Sequence, residues 1–275
     1  MKTYCQDLAM TCVAVLTLAV PLTSWAGQFS SYASVYPPTA KPYGKSYSEW
    51  SVQWWKWALS RPLAGHPFND PGFACNSTTN GQSGPVWFLA SSQIPTLPPN
   101  PASPPDLSAL VQRSCTIPAN TSILFGLEDV EGSTLEGFPK EADQRVYAKL
   151  FADHVVKSSL ICMIDGQMVA DLDDFRFASP QFTFHAPTPW IYSPLPGGTG
   201  KAVADGYYVM IKPLSKGHHT LSCGGRFYFS ATDLPPSGLD VGFGNTYHLF
   251  VQDSKTHGER PGDSVGPRAG DVTDK

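Results

Sequence analysis

Hydrophobic and polar positions follow a helical period in two stretches of this chain. Ser46 and Glu49 have capping-box spacing, so a helix starts there. It carries Trp50, Trp54, Trp55 and Trp57 and must stop near Arg61, ahead of Pro62. Trp50, Trp54 and Trp57 fall on one stripe; Val52, Trp55 and Leu59 fall on the next. A helix apolar over most of its circumference is expected to be buried. A second helix is expected over residues 140–158, after Pro139. Val146 and Leu150 share one stripe, with Tyr147, Phe151 and Val155 beside it. Asp153 and Lys157 are spaced for an i,i+4 ion pair.

Elsewhere the period is two. Strands are expected at residues 85–90, 122–127, 174–177, 181–185, 206–211, 219–223, 226–230 and 246–251. Residues 160–164 and 167–170 flank an Asp165-Gly166 turn and read as a hairpin. Residues 27–45 form a polar arm, and 62–84, 94–105 and 186–205 are loops. Residues 253–275 have no periodicity and are expected to be disordered. Strands crowd the C-terminal half. The expected fold is mainly β, an antiparallel, jelly-roll-like β-sandwich with two associated α-helices. Residues 27–252 make one domain on this reading.

Composition supports the strands. There are 26 prolines and 24 glycines in 275 residues, and only 15% of residues are charged. That disfavours a helix bundle. A net charge of −4 excludes a nucleic-acid binder driven by bulk charge.

Residues 1–26 read as a secretory signal peptide. Lys2 is basic, residues 10–20 are apolar, and Ser24 and Ala26 precede a cut before Gly27. The apolar run is too short to span a bilayer, and Pro21 closes it. No later segment has the length to cross a membrane. Cys5 and Cys12 leave with the leader, and Cys75, Cys115, Cys162 and Cys223 remain. An even count after an export signal implies two disulfides. Three pairings are open; Cys75–Cys115 and Cys162–Cys223 are favoured because each stays within its own half. The four are too far apart for a metal site, and none is expected. The protein is expected in the periplasm or outside the cell.

Several motifs carry a resemblance. They are Glu49-Trp50 followed by Trp-Trp-Lys-Trp, Gly84-Pro-Val-Trp-Phe-Leu-Ala90, Arg113-Ser-Cys-Thr-Ile-Pro118, Asp205-Gly-Tyr-Tyr-Val-Met210 and Gly217-His-His-Thr-Leu221. Together the chain resembles a family of exported bacterial proteins with a Trp-rich helix and a GPVWFLA-type strand. The resemblance implies export and one integrated fold, and it implies no activity, substrate or catalytic residue. The late strands around Gly217 to Cys223 are also similar to those of many carbohydrate-associated sandwiches, a likeness of fold alone.

Three places invite chemistry. The first is a sheet face. Phe175, Phe177, Phe182, Phe184, Phe227 and Phe229 alternate with polar residues and should face the core. If their strands share a sheet, its opposite face gathers Arg176, Thr183, His185, Arg226 and Tyr228. One wet face is normal for an antiparallel sheet, so simple solvation explains it as well. The second is the 186–205 loop. Its Trp190 and Tyr192 could stack on sugar rings, or the loop could cover a sheet edge. Arg176, His185, Trp190, Tyr192, Arg226 and Tyr228 are the candidate ligand-binding residues.

The third is the acidic run Glu128, Asp129, Glu131 and Glu136. Paired carboxylates could serve glycoside hydrolysis or ligate Ca²⁺. A solvated acidic loop is the plainer expectation. His219 should point inward with Leu221 and Cys223 as a satisfied core histidine. The Trp helix could line an aromatic groove, but large aromatics are ordinary core material. No zincin, nucleophile-elbow, P-loop or dinucleotide motif occurs, and no cofactor is expected. Asn76 and Asn120 head glycosylation sequons.

The leading expectation is an exported, non-catalytic binding or envelope-associated module, with carbohydrate or a cell-envelope component as candidate partner. One alternative is a secreted polysaccharide hydrolase or lyase, in which Glu128, Asp129, His185 and Tyr228 would act. Another is a structural protein with no small ligand.

Overall fold

The capping box at Ser46 forms as the sequence requires. The Ser46 amide donates to Glu49 Oε2 at 2.8 Å, and the Glu49 amide donates to Ser46 Oγ at 3.3 Å. Helix α1 runs Tyr47–Leu59. All four of its tryptophans are buried. Each indole N–H finds an acceptor: Pro42 O, Leu89 O, the Tyr208 hydroxyl and Asn80 O. The helix is therefore core, and its polar atoms cost nothing in burial. The computed structural model describes residues 34–73, 75 and 80–253, all in the unit Ser31–Lys275. The expected signal peptide, the Asn76 sequon and the tail from 254 onward lie outside the described residues.

Two sheets hold the rest. The first has the order β1 (Val86–Leu89), β4 (Ser122–Ser133), β9 (Gly198–Ile211) and β7 (Arg176–Ala178), with β8 (Phe182–Ala186) also on β9. The second has the order β2 (Ser92–Gln93), β11 (Leu239–Gln252), β10 (Gly217–Phe229), β5 (Ile161–Ile164) and β6 (Gln167–Met168). Strand β3 (Val111–Pro118) also pairs with β11. Phe125 of the first sheet meets Tyr247 of the second, ring centroids 6.1 Å apart. This is a mainly β, sandwich-like fold with two helices. Two pairings, β1–β4 and β3–β11, are parallel, so the sheets are mixed rather than purely antiparallel.

Several expected elements change. β3 was not expected, because its inward positions Arg113, Cys115 and Ile117 begin with an arginine. β10 is one strand rather than two, passing through Gly224 and Gly225 without a break. β9 takes residues 198–205 from the expected loop. Asp174 and Phe175 lie in a 3-10 turn, Leu172–Phe175. The expected inward Phe residues are buried, Phe177 only partly.

Helix α2 spans Glu141–Asp153 and ends short of the expected Ser158. The sheet captures the chain there: Tyr228 N donates to His154 O and Val156 N donates to Arg226 O. Its buried face is Gln144, Ala148 and Ala152, not the expected Val146 and Leu150, which are 69% and 41% exposed. Two alanines on that face permit close approach to β4. A Cβ on Gly132 would come within 3.0 Å of Tyr147 and 3.3 Å of the Gln144 carbonyl. Asp153 pairs with Lys149 and Arg176 rather than with Lys157.

Cys75–Cys115 and Cys162–Cys223 are both bonded. The second bridge joins directly opposed residues of β5 and β10. Each restricts the unfolded chain by about 3–4 kcal/mol. Protein comprising residues 27–275, unfolded without reductant, should therefore give no thiol with an alkylating reagent. Two or more titratable thiols would contradict the pairing.

Candidate functional site

The site begins where β1 ends. Leu89 of β1 opposes Phe125, but β4 runs on to Ser133. Among the described residues no strand pairs with the outer edge of β4 from Gly126 onward, while its inner edge stays on β9. A bulge falls at the same point. Gly126 pairs with Tyr208 and Glu128 with Tyr207, leaving Leu127 as the extra residue. Bulges bend a strand and re-aim its side chains. The acidic run is consequently not a solvated loop. Glu128 is 1% exposed and Glu131 fully buried.

A cavity of ≈ 430 Å³ lies against this edge, within the size range of small-ligand sites. Seven aromatic side chains line it. Trp54 and Trp55 come from α1, Phe68 from the loop behind it, and Tyr192 from the loop before β9. Phe151 of α2, Phe227 of β10 and Phe243 of β11 close the opposite wall. Glu128 and Asp129 supply the carboxyls. The exposed Asn69 and Gln93 also line it, so the cavity reaches solvent there. No lysine, arginine or histidine is in the wall.

The electrostatics follow from this enclosure. Glu128 Oε1 accepts the Phe243 amide at 2.9 Å, and Oε2 has no partner. Burial pushes the Glu128 carboxyl well above the usual range, and the Asp129 charge adds to the rise. The amides of Phe243 and Gly225 oppose it. Asp129 is also pushed well up by burial. Behind them, Glu131 is pushed well up by burial and then by Glu136, with the Tyr192 hydroxyl acting against the shift. Neither Glu131 oxygen has a partner at hydrogen-bond geometry. Burial raises Glu136 too, and Ser133 Oγ donates to it at 2.5 Å. Among the described residues, none of these four acids has an ion-pair partner. Burial without a countercharge favours the protonated form of each carboxyl.

No known protein family, curated protein or solved structure matches the chain. Geometry is thus the guide to function.

Of the expected site residues, Glu128, Asp129 and Tyr192 come together in the cavity wall. The others do not join them. Arg176 and His185 are on the first sheet, whereas Arg226 and Tyr228 are on the second, so the shared polar face does not exist. Arg176 is committed to Asp205, through Nε at 3.0 Å and Nη2 at 2.9 Å, and to Asp153 at 2.8 Å. Arg226 is buried, pairs with Asp240, and donates to the carbonyls of Pro98 and Asn100. It pins the Pro-rich segment to the sheet. His185 is exposed and contacts Thr199; Tyr228 is 40% exposed. Trp190 is fully buried, donates to Leu195 O, and packs between Phe184 and Tyr192. It anchors the loop instead of offering a stacking surface. His219, expected as a satisfied core histidine, is hydrogen-bonded, to Asp165 at 2.7 Å and to Ser215 O at 2.9 Å, but is only partly buried and lies at the edge of the core.

The Trp helix, expected chiefly as core with an aromatic groove as the alternative, is both: Trp54 and Trp55 are buried and also line the cavity. The wall residues the sequence did not single out are Phe68, Phe151, Phe227 and Phe243, which alternation marks only as apolar.

Proposed function

We propose that this is an exported, non-catalytic binding module that takes a small ligand, or the end of a longer one, into the cavity at the free edge of β4. The two disulfides fit export, and no described helix is long and apolar enough to cross a membrane. The reading agrees with the resemblance to exported bacterial proteins. One observation carries it: an aromatic cavity of ligand size whose carboxyls are all raised together. Carbohydrate is the first ligand class to test, because rings and neutral acids offer stacking and hydrogen bonds.

The same observation weighs against the hydrolase reading. Glycoside hydrolysis needs one carboxyl protonated and another ionised. Burial raises both Glu128 and Asp129, and no cation in the wall holds either one ionised. His185 and Tyr228, the expected partners, are outside the cavity wall. The purely structural reading accounts for Trp190 but not for a solvent-reached cavity lined with acids.

The test is a titration of exported protein with soluble oligosaccharides, followed by tryptophan fluorescence and by assay for new reducing ends or unsaturated products. A saturable shift without products is expected, since Trp54 and Trp55 line the site. Product formation would replace the binding reading with the enzyme.

A further inference from the structure

Two acids in the cavity wall, Glu128 buried and Asp129 partly buried, lack a countercharge. Glu128 is 1% exposed, faces the cavity, and leaves Oε2 without a hydrogen-bond partner. Asp129 stands beside it in the wall. Among the described residues neither has an ion-pair partner, and the wall holds no basic side chain. Desolvated carboxyls of this kind gain most from a cation that arrives already partly stripped of water. Aromatic rings attract the same kind of ion through their quadrupole.

We propose that the ligand carries a cationic nitrogen, an alkylammonium group seated between the Glu128–Asp129 pair and the rings of Trp54, Trp55 and Tyr192. This rests on the cavity being a binding site. A divalent metal fits less well. Calcium takes about 6–8 oxygen ligands, and no group of three or more His, Cys, Asp or Glu among the described residues could hold a metal ion. An ammonium ion needs only the two carboxyls and the apolar rings. Its entry displaces a proton from the acid pair. The titratable groups on the elements beside that pair are Glu131 on β4, Tyr207 and Tyr208 on β9, Tyr192 on the loop, and Arg176 on β7, opposite Tyr207. Arg176 is held by Asp205 and Asp153 and is not in the cavity wall.

Calorimetric titration of the exported protein tests this with choline and its uncharged isostere, 3,3-dimethylbutan-1-ol. Choline should bind at least about tenfold tighter than the alcohol. Binding should release protons and tighten as pH rises. Asp129→Asn should weaken choline by about tenfold or more and weaken it more than it weakens the alcohol. Equal affinity for the two isosteres overturns the cation, as does Ca²⁺ binding that excludes choline. Silence toward choline alongside binding of a neutral oligosaccharide overturns the cation and leaves the binding module standing. Silence toward every probe overturns both.

Discussion

Arg113→Met lowers the unfolding free energy by about 3–5 kcal/mol. Arg113 is 3% exposed. Its Nη2 donates to Pro67 O, Asp70 O and Ser92 Oγ at 2.6, 2.8 and 2.7 Å. Its Nη1 donates to the Tyr247 hydroxyl at 2.9 Å and to Ala90 O at 3.3 Å. The guanidinium also lies 5.8 Å from the ring centres of both Phe73 and Tyr247. One buried cation thus ties the loop carrying Phe68 and Asn69 to the segment carrying Ser91, two sides of the cavity mouth. Methionine fills the volume but orphans two loop carbonyls. Lysine lacks the planar fork and should rescue little. Urea unfolding at pH 7, read as a fall in midpoint at constant m, checks this. A loss under about 1 kcal/mol would show that the loop carbonyls turn to water without cost.

Glu131→Gln acts in the opposite direction and depends on pH. Glu131 is fully buried, neither oxygen has a partner at hydrogen-bond geometry, and Glu136 and the Tyr192 hydroxyl lie beside it. Its carboxyl is pushed well above the usual range, chiefly by burial. The folded chain therefore holds this proton more tightly than the unfolded chain does. Stability from that proton is complete below the unfolded value of about 4.3. It is lost as pH rises through the higher folded value. Glutamine is neutral throughout and avoids the loss. The variant should melt at least about 2 °C higher than wild type at pH 9, about 1 kcal/mol for a chain of this size. At pH 4 the gain should vanish. His66 works against a simple low-pH optimum. Burial lowers it to about 4, so its contribution fades as pH falls from about 6.5 toward that value. Thermal melts by circular dichroism across pH 4–9 separate the two groups. A Glu131→Gln variant that melts lower at pH 9 would mean the carboxylate is matched by a partner.

The elements most legible in the sequence are those where pattern and burial agree. The Ser46 capping box, the Trp stripes and the Asp165-Gly166 hairpin all form. Both favoured disulfides also form. The illegible parts share one physical cause, which is polar residues placed inside. Alternation assigns Arg113 to solvent, so β3 disappears from the pattern. The acids after Leu127 look like a loop because an ionised carboxylate belongs in water. A bulge and a lost strand neighbour turn Glu128 and Glu131 inward, where burial favours their protonated form. Those two facts depend on where β1 stops, and nothing local to residues 128–131 records that. The candidate face failed for a related reason. Arg176 and Arg226 have the same alternating phase, but phase does not say which sheet a strand joins.

The cavity at the edge of β4 as the ligand site is the claim on which the functional account stands. Gln93→Phe tests it most directly. Gln93 is exposed on β2 and lines the cavity, opposite Phe243 in the sheet. Phenylalanine there should block entry and leave the melting temperature unchanged. Fluorescence titration with oligosaccharides and choline is the measurement. A saturable shift in wild type that disappears in folded Gln93→Phe is the predicted result. An identical shift in both proteins would place the ligand elsewhere and contradict the account.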